Sequence, residues 1–120
     1  MGWVHTLVLA DDETASVTST ASALGTSGPW PVGMVAHVSG EVYNPSDNQT
    51  LTAQVQTSRK SGGSARWTTR LTMTIPPGDV GAFELETIGL NFIRVLAACD
   101  GDGVSGVQLY LQRNAHLDTR

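Results

Sequence analysis

The ten residues Arg66-Trp67-Thr68-Thr69-Arg70-Leu71-Thr72-Met73-Thr74-Ile75 carry the clearest pattern in the chain. Trp67, Thr69, Leu71, Met73 and Ile75 alternate with Arg66, Thr68, Arg70, Thr72 and Thr74, and a period of two sends the two sets to opposite faces of an extended strand. The pattern predicts a strand with one wet face and with Trp67 on the core side. Immediately upstream, Leu51, Ala53, Val55 and Thr57 alternate with Thr52, Gln54 and Gln56. Residues 58–64, which include Arg59, Lys60, Gly62 and Gly63, join the two runs, so a hairpin with a flexible basic tip is expected. Downstream, Pro76-Pro77-Gly78-Asp79 stops the ladder because the prolines lack N–H donors and the glycine permits a turn. Phe83, Leu85 and Thr87 then alternate with Ala82, Glu84 and Glu86.

The same reading extends to both ends. Between residues 91 and 99, Phe92, Ile93, Val95, Leu96, Ala97 and Ala98 leave almost no polar face, as in a strand central to a sheet or set against a partner. Asp100-Gly101-Asp102-Gly103 reads as a tight turn into a last hairpin arm, 106–112, with Val107, Leu109 and Leu111 inward. In the first third, 3–9 and 15–22 read as strands, and 24–33 as a Gly/Ser/Pro loop presenting Trp30 between Pro29 and Pro31. Residues 34–43 form a strand with Ala36, Val38 and Val42 inward, and Asn44-Pro45-Ser46-Asp47-Asn48 turns the chain. No window shows a capped 3.6-residue period. Turn signals recur about every ten residues, the spacing of an all-β protein: an antiparallel two-sheet sandwich or jelly-roll-like barrel of about eight strands. A single domain over 1–120 is expected, with 1–10 as an N-terminal arm or edge strand. Spacing leaves the strand order open.

Composition narrows the function classes. At 120 residues and 12.7 kDa the chain suits one hydrophobic core. Only 15% of residues are charged, and 7 Lys+Arg against 11 Asp+Glu give a net charge of -4. That balance argues against a phosphate-neutralising surface, so no nucleic acid is expected as a partner. No apolar run approaches the length of about 20 residues that crosses a bilayer, so no membrane is expected either. The segment 3–10 is interrupted by His5 and Thr6 and lacks the basic start of a secretory signal, which leads to the expectation of a soluble chain made in a cytoplasm. Cys99 is the single cysteine, which excludes an intrachain disulfide. Its apolar neighbours predict a buried, inert thiol.

Chemistry-bearing motifs are absent. Asp100-Gly101-Asp102-Gly103 is too short for a calcium loop and lacks the distal glutamate. Asp11-Asp12-Glu13 splays its carboxylates and reads as a solvated turn. His5, His37 and His116 do not share an element at a metal-binding spacing. No nucleophile elbow, phosphate loop or dinucleotide fingerprint occurs, and Glu84 with Glu86 solvates one strand face. The expectation is therefore a non-enzyme with no catalytic residue, cofactor or metal. Asn48-Gln49-Thr50 is read as a turn. Arg94 is the one charge in its apolar run, either snorkelling at the sheet rim or paired with a carboxylate at an interface.

Three stretches carry a resemblance: Gly40-Glu41-Val42-Tyr43-Asn44 ahead of a threonine-rich strand, Ile75-Pro76-Pro77-Gly78 ahead of another, and Phe92-Ile93-Arg94-Val95 leading to the terminal arm. Together they resemble small β-sandwich decoration, or cement, proteins of tailed bacteriophage capsids. The resemblance implies a non-enzymatic virion structural protein, a homotrimer that binds the major capsid protein of an assembled shell and resides on the capsid surface after synthesis in the host cytoplasm. Trp3, Val4, Leu7, Trp30 and Arg94 are the expected partner-binding residues. The alternative is a carbohydrate- or receptor-binding module in which Trp30, Trp3 and Tyr43 form a stacking platform. Another particle component, such as a tail or connector protein, is a third possibility.

Overall fold

The computed structural model describes residues 2–25, 28–32, 36–87 and 91–118, with the side chains of 2–5, 36 and 115–118 outside the described residues. Nine strands run in chain order: β1 (Gly2–Val17), β2 (Ser22–Ala23), β3 (Trp30–Pro31), β4 (Ala36–Tyr43), β5 (Leu51–Ser58), β6 (Thr68–Ile75), β7 (Val80–Glu86), β8 (Phe92–Cys99) and β9 (Val104–Asp118). All pairings are antiparallel. One sheet has the order β1-β9-β4-β7, and the other β2-β8-β5-β6 with β3 also on β8.

The connections identify the topology. β2 and β3 sit on one side of β8, at Leu96 to Ala97 and at Phe92 to Ile93, and act as two pieces of one broken edge strand. Counted so, the expected number of about eight strands holds. Every other connection except the β5–β6 hairpin crosses between the sheets. Two interleaved four-strand sheets with these crossings are a jelly roll. The hairpin expected from the 51–57 and 66–75 alternation is present, and the 92–99 run is a central strand flanked by β5 on one side and by β2 and β3 on the other. The Asp100–Gly103 turn does not make a hairpin, because β8 and β9 lie in different sheets.

The core follows from the alternation. Val38, Val42, Val107, Leu109 and Leu111 face inward from the four-stranded sheet, and Leu51, Ala53, Val55, Ile93 and Val95 from the other, all fully buried. Each buried Val, Leu or Ile side chain contributes roughly 1.5–3 kcal/mol. Gly40 belongs to this layer because a Cβ there would come within 2.7 Å of the Phe83 ring and 2.8 Å of the Tyr110 carbonyl oxygen. Asn44 closes one end. Its Nδ2 donates to the carbonyls of Gln49 at 2.8 Å and Ile75 at 3.1 Å, while its Oδ1 accepts from the Ser46 amide at 3.0 Å, which ties the β4–β5 crossing to the β6–β7 crossing.

Two bulges override expectations drawn from simple alternation. Asp11 and Asp12 lie inside β1 and not in a turn between strands: the ladder to β9 passes from Ala10–Leu111 to Glu13–Leu109, with Asp12 at φ 51°. Asp tolerates this left-handed conformation better than most residues. The segments read as two strands are thereby one, and the axis of 52 Å matches the roughly 50 Å reach of sixteen extended residues. In β6, Val55 pairs with Leu71 but Gln56 pairs with Thr69, so Arg70 is extra. An extra residue reverses the facing of everything beyond it. Trp67, expected in the core, therefore lies half-buried on the outer face.

Candidate functional site

Two features of the surface stand apart. The first is the free edge of β1. Seven consecutive pairs, from Gly2–Asp118 to Val8–Gln112, join this half of β1 to β9 without a register shift, and no strand pairs with its other edge among the described residues. Residues 2–9 carry no Asp, Glu, Lys or Arg, and Leu7 and Val8 are 48% and 46% exposed. Edge strands are ordinarily guarded by charges, prolines or bulges. Here the irregularities begin only after Val8, with a register shift between Val8 and Ala10 followed by the Asp11–Asp12 bulge.

The second feature is a cleft of about 530 Å³ at the far end of the β5–β6 hairpin. Arg59, Lys60, Arg66 and Arg70 line it together with the hydroxyl side chains of Thr57, Ser58, Ser64 and Thr68. The loop bearing the cations is anchored. The Lys60 amide donates to Ser58 Oγ at 3.2 Å, the Asn91 amide donates to the Ser58 carbonyl at 3.2 Å, and Asn91 Nδ2 donates to the Arg59 carbonyl at 3.3 Å. Arg70 Nε donates to Thr57 Oγ1 at 2.8 Å, a bond made possible by the bulge. The one ion pair within 4 Å among the described residues is His37 with Glu84, at 3.8 Å on the other sheet, so none of the four cations is neutralised by a carboxylate there.

Arg94 lies on the outer face of the same sheet. Its Nε donates to Gln56 Oε1 at 2.8 Å, Gln56 Nε2 donates to Thr69 Oγ1 at 3.0 Å, and the guanidinium covers the Trp67 ring. Burial lowers the Arg94 pKa from its ordinary value. Among the described residues no carboxylate lies within ion-pair distance of Arg94, whose contacts are with Gln56 and Trp67.

The expected partner-binding residues that the structure describes, Leu7, Trp30 and Arg94, lie on β1, β3 and β8 respectively. Leu7 is exposed on β1, whereas the side chains of Trp3 and Val4 lie outside the described residues. Trp30 is a correction: it is 4% exposed, because its pairing with the inward-facing Ile93 turns the indole into the core. Gly25 and Gly28 make room for it, since a Cβ at either would come within 2.8–3.0 Å of the ring. The Trp30, Trp3 and Tyr43 platform is therefore not assembled. The basic hairpin tip with Arg59 and Lys60 is expected from the sequence, whereas the addition of Arg66 and Arg70 to it in one cleft is not, because net charge is blind to distribution. The legible signal is local: residues 48–78 contain no Asp or Glu but four of the cations. Cys99 is buried, and among the described residues no three His, Cys, Asp or Glu side chains gather as a metal site.

No family model matches the chain, and no curated protein matches it. Solved structures do. A chain from Bacillus endospore appendages, a family of disulfide-linked pili, is 12% identical with a TM-score of 0.58, over 100% of this chain and 92% of the other. The VP2 subviral particle of infectious bursal disease virus gives 18% identity and a TM-score of 0.59, over 96% of this chain and 33% of the other. A T13 particle of the same virus gives 16% and 0.58, over 96% and 31%. The chain thus spans about a third of the viral chains it matches. At these identities the likeness is one of fold, a β-sandwich found in viral shell and pilus proteins.

Proposed function

We infer that this chain is a non-enzymatic structural component of a virus particle, which binds an assembled shell through the free edge of β1 and stabilises it. In its most specific form this is decoration of a tailed-bacteriophage capsid by a homotrimer, with the major capsid protein as partner. The observation that carries the reading is the unguarded first half of β1, where Leu7 and Val8 flank a row of unpaired backbone groups. Adding a strand there would satisfy the backbone groups and cover both side chains. The fold shared with shell and pilus proteins supports this reading but does not by itself assign a role. Stabilisation follows by mass action: a protein that binds only the closed shell adds about 2.7 kcal/mol per site at a hundredfold excess over Kd.

The test combines light scattering on the purified chain with co-sedimentation against shells encoded by the same genome. A trimer that pellets with closed shells and not with free subunits is expected, and Leu7→Lys with Val8→Lys should abolish pelleting without lowering Tm. A monomer that ignores shells, or a double variant that still pellets, would contradict the reading.

A further inference from the structure

We propose that the cleft at the loop end of the β5–β6 hairpin is a binding site for a sulfated saccharide, independent of the β1 edge. The lining chemistry is the basis. Four cations, Arg59, Lys60, Arg66 and Arg70, surround a concave space, and none has a carboxylate within ion-pair distance among the described residues. Guanidinium groups present paired donors that match a planar or tetrahedral oxyanion. The remaining lining residues, Thr57, Ser58, Ser64 and Thr68, are hydroxyl-bearing and can both donate and accept, which suits sugar hydroxyls. A volume of about 530 Å³ falls within the range of small-ligand sites and is far larger than one sulfate requires.

The site is organised before any ligand arrives. Asn91 holds the loop through the Ser58 and Arg59 carbonyls, and Thr57 holds the Arg70 guanidinium. Such preorganisation reduces the entropy lost on binding. A single-stranded nucleic acid fits less well, because it requires an exposed stacking ring beside the cations. The nearby ring, Trp67, is instead covered by Arg94 on the outer face. The net charge of -4 further opposes a long polyanion while leaving a short one to the local field.

Isothermal titration of the intact chain at low ionic strength tests this with a heparin-derived tetrasaccharide, its desulfated counterpart, inorganic sulfate and a short single-stranded DNA. The tetrasaccharide should bind at least tenfold more tightly than the other three. Arg59→Gln with Lys60→Gln should weaken it at least tenfold, as should Arg66→Gln. Glu84→Gln on the other sheet should leave it unchanged, and an unchanged Tm confirms folding of each variant. Equal binding of the desulfated sugar, of inorganic sulfate or of DNA would overturn the proposal. So would no binding of the tetrasaccharide, or full affinity in the cleft variants.

Discussion

The Arg94 guanidinium lies over the indole of Trp67, 4.3 Å from the ring centroid, although Arg94 belongs to β8 and Trp67 lies just before β6, 27 positions apart. Gln56, between them in the sheet, accepts from Arg94 Nε at 2.8 Å. The contact exists because the extra residue at Arg70 turns Trp67 outward. A cation over a half-buried ring contributes about 0.5–2 kcal/mol. A double-mutant cycle of Arg94→Met and Trp67→Leu in urea should return a coupling in that range. Deleting Arg70, the unpaired residue, should leave the coupling in place, because Thr69 would then follow Leu71 directly and Trp67 would keep its outward facing.

Asn44 is fully buried, and its amide bridges four backbone groups, the carbonyls of Gln49, Ile75 and Pro76 and the Ser46 amide. Asn44→Ala should cost about 2–3 kcal/mol by leaving buried carbonyls without donors. Asn44→Asp should be at least as damaging near neutral pH despite its matching shape, because an acceptor then faces the carbonyls of Gln49 and Ile75. Urea midpoints of the two variants check this order.

Gly40 is forced by contact and not by backbone conformation. Gly40→Ala should destabilise by roughly 1–3 kcal/mol through overpacking against Phe83. The double variant with Phe83→Leu should recover part of the loss, as read by thermal unfolding.

The Cys99 thiol is buried beside the Val17 and Gly101 carbonyl oxygens, with Sγ at 3.8 and 3.5 Å. It should react with a thiol reagent only after opening of β8, so its modification rate should track the unfolding equilibrium across a urea series. Rapid modification in native buffer would contradict this burial.

Periodicity made most of the fold legible. The alternations at 51–57, 66–75 and 106–112 became β5, β6 and part of β9, and the apolar run at 92–99 became the central strand β8. What it hid was register. Bulges at Asp11–Asp12 and Arg70 leave no mark in a count of alternating residues, yet the first joined two expected strands and the second moved Trp67 out of the core. Trp30 was misread because a proline-flanked tryptophan resembles an exposed loop, whereas its two neighbouring glycines were the sign of a ring packed against backbone. The cleft depended on which cations the hairpin brings together, which composition cannot express.

Amide hydrogen exchange along β1 tests the central claim most directly, comparing the free chain with the chain bound to closed shells. Edge pairing predicts that the alternate amides of residues 2–9 that point away from β9 exchange rapidly in the free chain and become protected on binding, while the amides of β5 and β8 stay protected throughout. Unchanged exchange at residues 2–9 in a sedimented complex, or new protection confined to another strand, would contradict it.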